Sequence, residues 1–261
     1  GVEPPLAVVL AGNDPASHVY VRNKQRACER CGIKSTRIDL PNDVSQDQLM
    51  QVVMELNADD SVHGILVQSP TPTGTDELEI TAAINPAKDV DGFHPVNLGR
   101  LVMGQVDGLL PCTPAGVMHM LEDAEIDLVG KKAVVIGRSR IVGMPLALLL
   151  AQKGIDATVT IAHSRTEDIA DICRSADLVV AAVGRPGTVK ADWIKPGATV
   201  IDVGINRVAD ESRENGSRLA GDVEPEAAEV AGHITPVPGG VGPMTISMLM
   251  TNTVRAAEAN L

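Results

Sequence analysis

Lys132-Ala-Val-Val-Ile-Gly-Arg-Ser-Arg-Ile-Val-Gly-Met-Pro145 is the stretch on which the fold turns. Lys132 to Ile136 reads as a short strand, Gly137 to Gly143 as a tight loop, and Pro145 suits the first turn of a helix. Leu146 to Lys153 continues that helix, and Gly154 ends it. Ala157 to Ala162, Leu178 to Val183 and Thr199 to Val203 supply further strands, each followed by small or polar residues. A strand that feeds a tight loop and then a helix, repeated, predicts a parallel sheet covered by helices.

The same alternation occurs upstream. Leu6 to Ala11 is a continuous apolar run closed by Gly-Asn-Asp-Pro, as a strand buried on both faces requires. A helix from Ser17 to Cys31 ending at Gly32, a strand from Ile33 to Leu40, a helix opened by the capping box Ser45-x-x-Gln48 and running through Leu56, and a strand from His63 to Gln68 complete β-α-β-α-β. Pro111-Cys-Thr-Pro114 marks a boundary, with Thr113 expected to cap a helix from Pro114 to about Glu122. The predicted architecture is α/β, with two α/β domains of mainly parallel sheet and a substrate cleft between them. The first is expected over residues 1–113, completed by a C-terminal helix over 246–261, and the second, a Rossmann-type dinucleotide-binding domain, over 114–245.

Composition narrows the function. The 261 residues are 44% hydrophobic and 21% charged, the balance of a globular protein with an ordinary core. With 22 basic and 34 acidic residues the net charge is −12, a field that repels phosphate backbones and anionic lipid, so no nucleic-acid or membrane partner is expected. The longest apolar candidate, Met144 to Ala151, falls far short of a spanning helix. The chain starts at Gly1 in place of Met, compatible with a fragment boundary, and shows no signal peptide, so a reducing cytoplasm is expected. Cys28 and Cys31 form a C-x-x-C without a second pair or a spaced His, and read as two helix residues; no metal site is expected.

Several residues could carry chemistry. The Gly137–Gly143 loop lies between strand and helix, where backbone N–H groups and the helix dipole hold a pyrophosphate. Its spacing is not G-x-G-x-x-G, so a plain structural turn is the competing reading. The next strand ends at His163-Ser-Arg-Thr166, where an NAD site carries an acidic residue for the ribose 2′-OH; a hydroxyl and a guanidinium there favour the 2′-phosphate of NADP. Arg138, Arg140 and Arg165 add positive charge at that edge. In the first half, Ser17-x-x-Tyr20-x-x-x-Lys24 puts Tyr20 and Lys24 on one helix face, Gln68 ends the third strand, and Lys88-Asp-Val-Asp91-Gly-Phe93 concentrates charge at a turn. Together they could orient a polar heterocycle, although turn formation competes for one of Asp89 and Asp91. Thr235-Pro-Val-Pro-Gly-Gly-Val-Gly-Pro243-Met-Thr245 is a stiff loop where backbone can approach a ligand, followed by a helix from about Thr245 to Glu258.

The strings VYVRNK, VQSPTP, PAKDVDGFHP, PCTPAGV, GRSRIVGMP, AHSRT, DVGIN and ITPVPGGVGPMT, in this order along nearly the whole chain, resemble the bifunctional methylenetetrahydrofolate dehydrogenase/cyclohydrolase family. The resemblance implies an enzyme that uses NADP to oxidise 5,10-methylenetetrahydrofolate to 5,10-methenyltetrahydrofolate and then hydrolyses it to 10-formyltetrahydrofolate. It implies that Tyr20 stacks on the folate, Lys24 is the catalytic lysine, Gln68 is its hydrogen-bonding partner and Asp91 grips the pterin. It further implies that Gly137, Arg138, Ser139, His163, Ser164 and Ile205 touch NADP, while Pro238, Gly239, Gly242 and Thr245 complete the folate side. Family members are generally homodimers, and the pathway implied is cytoplasmic one-carbon supply, including purine biosynthesis. Ser69 and Thr71 stand where the family usually has Leu, which should adjust the folate cleft wall, and the family's usual leading helix is absent before Gly1.

The chemistry fits these residue types. Hydride loss from the methylene carbon leaves a cation that the adjacent nitrogens stabilise, so that step needs positioning more than an acid or base. Hydrolysis of the methenyl carbon must move a proton, a task for a partly buried lysine oriented by an uncharged Gln68. A shikimate-type or amino-acid-type dehydrogenase would explain the cofactor loop but not Tyr20, Lys24, Gln68 and Asp91 together. A nucleotide-sensing protein without catalysis is the alternative of another class.

Overall fold

The structure, a computed structural model, describes residues 4–213 and 216–259. Contacts divide the chain into two compact units: residues up to Cys112 with those from Ile246 onward, and Thr113–Thr245.

In the first unit, β1 (Pro5–Ala11), α1 (Pro15–Cys31), β2 (Lys34–Leu40), α2 (Gln46–Ala58) and β3 (Gly64–Val67) alternate, and the strands form a parallel sheet in the order β2-β1-β3. β1 is central and buried along almost its whole length, which is why it needs an unbroken apolar run. Each helix begins where its cap dictates. Asp14 accepts from the Ser17 N–H at 2.8 Å, with Pro15 opening α1, so the helix starts two residues before the predicted Ser17. Gly32, at φ 68°, closes it in the left-handed conformation. The Ser45/Gln48 capping box opens α2. α3 (Glu77–Ala83) and α4 (Pro95–Val102) follow β3. Ala7, Val9, Leu49, Val53, Ile65 and Ile80 are among the residues that pack one core of this unit.

In the second unit, β4 (Lys132–Ile136), α6 (Gly143–Leu150), β5 (Thr158–Ala162), α7 (Ile169–Arg174), β6 (Leu178–Ala181), β7 (Thr199–Asp202) and β10 (His233–Ile234) follow α5 (Cys112–Asp123). The five strands are parallel, in the order β10-β7-β6-β4-β5. After β4 the chain builds outward to β5 and then returns to the other side with β6, so β4 and β6 flank the switch point, where crevices for ligands open at the carboxyl ends of strands. A short antiparallel pair, β8 (Asn206–Ala209) with β9 (Ser217–Ala220), is absent from the sequence prediction because each strand is four mixed residues with no apolar run.

Boundaries of three further helices also differ from expectation. α5 begins at Cys112, so Thr113 lies inside the first turn and its hydroxyl bonds to that of Thr245 at 2.8 Å instead of capping. α6 stops at Leu150, not Lys153, because the chain turns back and the Ala157 N–H donates to the Leu150 carbonyl. α8 (Val241–Glu258) begins four residues before Thr245; Pro243, which lacks an N–H, is tolerated in its first turn.

Candidate active site

α1 delivers Tyr20 and Lys24 one turn apart, with Tyr20 41% exposed. Lys24 Nζ donates to Gln68 Oε1 at 3.1 Å. Gln68 directly follows β3, its N–H bonded to the Val9 carbonyl of β1, so the sheet itself sets its position. Its Nε2 donates to the Ser69 carbonyl at 2.7 Å, which turns the amide oxygen toward Lys24. Ser69 and Thr71 are occupied nearby: Ser69 Oγ and the Thr71 N–H both donate to Glu77 Oε1 at 2.9 Å, at the start of α3. The Ser69 side chain and the Thr71 backbone therefore knit this loop to a helix.

The acidic turn separates its two aspartates. Asp89 is 1% exposed and accepts from the His94 N–H and Asn97 Nδ2, both at 2.8 Å. It is the turn former. Burial raises its pKa, with the Asn97 and His94 bonds opposing. Asp91 is partly buried and accepts no hydrogen bond from the described residues. Its pKa is also raised by desolvation; the charge of Lys24 opposes this and that of Asp89 adds to it. Lys24 thus faces a neutral amide and, within electrostatic reach, a carboxylate. Lys88, in the same charged cluster, is spent on structure, donating to the carbonyls of Leu56, Asn57 and Asp59 at the end of α2.

The second unit offers backbone in place of side chains. Gly137 leaves β4 at φ 124°, and a Cβ there would lie 2.2 Å from the Ala182 carbonyl oxygen just past β6. A Cβ on Gly143 would lie 2.2 Å from the Gly137 oxygen. Both positions therefore exclude any side chain. Ser139 Oγ accepts from the Val142 and Gly143 N–H groups, while the N–H groups of Arg138 and Ser139 have no acceptor among the described residues. Undonated N–H groups ahead of α6, at the switch point, fit an anionic dinucleotide phosphate. Past β5, His163 Nδ1 accepts from the Arg165 N–H at 3.2 Å, leaving the ring proton on Nε2, and Ser164 and the Arg165 side chain are exposed. Arg138 is exposed as well.

Sequence reasoning missed the two buried aspartates that organise the remaining loops of this edge. Asp202, at the end of β7, accepts from the N–H groups of Gly204, Asp222 and Val223; Asp222 accepts from those of Val183, Gly184 and Arg185 and from Asn206 Nδ2. Burial raises the pKa of Asp202, with those N–H bonds opposing. Gly204 and Gly221 are glycines because a Cβ would fall 2.3 Å from Asp222 Oδ1 and 1.8 Å from Asp202 Oδ2. The signal was present as DVGIN and Gly221-Asp-Val, in which an aspartate flanks a glycine. Thr235 Oγ1 accepts from the Asp202 N–H at 2.8 Å, and a Cβ on Gly242 would lie 3.3 Å from Ile205 Cδ1. Ile205, 41% exposed, thereby lies against Gly242 in the first turn of α8, within one unit. Gly239 takes φ 107°, and Pro238 follows a cis peptide bond. Among the described residues no cluster of His, Cys, Asp or Glu is arranged to hold a metal, and no helix is long and apolar enough to cross a membrane.

Comparison with known proteins finds two family matches: tetrahydrofolate dehydrogenase/cyclohydrolase, catalytic domain, over residues 1–91, and the NAD(P)-binding domain of the same family over residues 111–261. The chain is 54% identical over 259 residues to a bifunctional protein FolD of Acetivibrio thermocellus, covering 98% of this chain and 87% of that one. A crystal structure of the bifunctional methylenetetrahydrofolate dehydrogenase/cyclohydrolase of Campylobacter jejuni superposes with TM-score 0.94 at 48% identity, covering 100% of this chain and 90% of that one. The Trypanosoma brucei enzyme, solved with NADP and an inhibitor, gives TM-score 0.93 at 44% identity, with 98% and 87% covered.

Proposed function

The chain belongs to the tetrahydrofolate dehydrogenase/cyclohydrolase family, and from that premise we propose how its residues divide the work. It oxidises 5,10-methylenetetrahydrofolate with NADP and hydrolyses the 5,10-methenyl product to 10-formyltetrahydrofolate. The first unit is the folate-binding catalytic domain and Thr113–Thr245 the NADP-binding domain. The observation that carries this reading is the Lys24–Gln68 hydrogen bond at 3.1 Å with the Asp91 carboxylate in electrostatic reach.

Asp91 has its acceptor capacity unspent, so it receives N–H donors of the pterin ring, while Tyr20 stacks on the ring face. Gly137, Arg138, Ser139, His163, Ser164 and Ile205 hold NADP, the free N–H groups of Arg138 and Ser139 meeting phosphate. Bound NADP supplies the hydride acceptor. Pro238, Gly239, Gly242 and Thr245 complete the folate side and keep it oriented. In hydrolysis, water adds to the methenyl carbon, Lys24 Nζ takes a proton from it and returns one to the departing ring nitrogen, and Gln68 holds the ammonium in line. The chain acts as a homodimer in the cytoplasm and feeds one-carbon units to purine synthesis; the family resemblance supports this.

The test is absorbance of NADPH on adding methylenetetrahydrofolate, followed by loss of the methenyl absorbance. Both signals are expected. A chain that reduces NADP with shikimate but not with the folate, or that binds nucleotide and turns nothing over, would overturn the reading.

A further inference from the structure

Asp91 accepts no hydrogen bond from the described residues, so what holds it must be the backbone on which it sits. That backbone has a specific fastening. Asn252, in α8 and 1% exposed, donates through Nδ2 to the Val90 carbonyl at 2.8 Å and to the Leu110 carbonyl at 2.9 Å, and lies 3.6 Å from Cys112 Sγ. Cys112 Sγ donates to the same Val90 carbonyl at 3.3 Å. The two segments so joined are already in van der Waals contact, since a Cβ on Gly92 would fall 2.3 Å from the Leu110 carbonyl carbon. One side-chain amide, 142 residues away from Leu110 in sequence, therefore ties the turn that carries Asp91 to the segment leading into α5.

The arrangement costs something. Asn252 Oδ1 is buried without a hydrogen-bond partner, and an unmet buried acceptor is unfavourable. An apolar residue would avoid that cost but would take the Nδ2 donor from the Leu110 carbonyl and leave the Val90 carbonyl only the weak thiol donor of Cys112, so the donors are what the position requires. We infer that Asn252 is a positioning residue for the folate site, acting through the Val90 and Leu110 carbonyls on Asp91. This rests on the reading of Asp91 as the carboxylate that grips the pterin.

The experiment is a double-mutant cycle of Asn252→Ala and Asp91→Asn, with folate KM in both activities and NADP affinity measured on enzyme normalised to titrated NADP sites. Loss of two donors predicts a folate KM raised roughly five- to thirtyfold in Asn252→Ala, with NADP affinity unchanged. Asn252→Ser, which keeps one donor, should recover part of it. In the Asp91→Asn background the Asn252 substitution should add less than about twofold, because the group it positions is already gone. A merely structural Asn252 would lower thermal stability and the fraction of active sites but leave KM unmoved, and that result, or full additivity, would overturn the inference. So would failure of both the Ala and Ser proteins to fold. If Asp91→Asn itself leaves folate KM unchanged, the functional reading of Asp91 fails first, a result separable from the others.

Discussion

The candidate site residues of the two units are built from opposite materials. Lys24, Gln68 and Asp91 present functional groups on side chains, each anchored by a strand end, a helix face or a turn. The Gly137–Gly143 loop and its neighbours present backbone, with the side chains removed at Gly137, Gly143, Gly204 and Gly221 and two buried aspartates fixing where the chain runs. A proton-transfer site needs a particular atom, whereas a phosphate site needs converging N–H groups, which every residue but proline carries. Substitutions should therefore act on chemistry in the first unit and on shape in the second.

The sharpest break between the two is Lys24→Met. It should lower cyclohydrolase turnover by about a hundredfold or more while folate binding largely survives, measured by hydrolysis of supplied methenyltetrahydrofolate. Near-normal turnover would remove Lys24 from the mechanism. Next comes Gly137→Ala, in which a new methyl meets the Ala182 carbonyl and the φ of 124° becomes strained. A loss of about 3 kcal/mol is expected, read as a lowered unfolding midpoint together with weakened NADP binding, and folate chemistry should suffer only through it. Intact NADP affinity would show that the loop tolerates a side chain after all.

Arg138→Ala tests whether any side chain matters in the backbone site. Losing one charge-assisted bond to the 2′-phosphate predicts an NADP dissociation constant raised roughly ten- to a hundredfold, with NAD affinity barely altered. Equal loss for both cofactors would move Arg138 to the pyrophosphate or the fold. Smallest is the contrast inside one turn. Asp91→Asn should weaken folate about tenfold in both activities, whereas Asp89→Asn, which disturbs the His94 and Asn97 bonds, should lower stability by about 1–3 kcal/mol without moving folate KM. The pKa of Asp91 is raised by burial, so on acidification its carboxylate is protonated at a higher pH than an ordinary aspartate near 3.9. Folate KM should begin to climb there. Equal effects of the two substitutions on KM would erase the distinction the structure draws between them.

Much of this was legible along the chain because it is local. An apolar run, a cap and a glycine act within a few residues, so β1, the Ser45 cap, the Gly32 stop and the strand–loop–helix at Gly137 could be read directly. The β8–β9 pair could not, because its strands have no apolar period and exist by pairing with each other. Thr113 misled for a related reason: a residue that suits a cap locally was claimed by Thr245, far away in sequence.

By itself the sequence determined the alternation of strands and helices, the glycine loop and the identity of the groups able to do chemistry, since each depends on short-range sterics and residue type. Only the tertiary structure decided that Gln68 meets Lys24, that Asp89 is buried and committed while Asp91 is not, that Asp202 and Asp222 gather the loops of the second unit, and that Asn252 fastens the Asp91 turn. The physical reason is that a hydrogen bond between distant residues is set by where the folded backbone brings a donor and an acceptor together, and burial decides which polar groups must be met inside the protein.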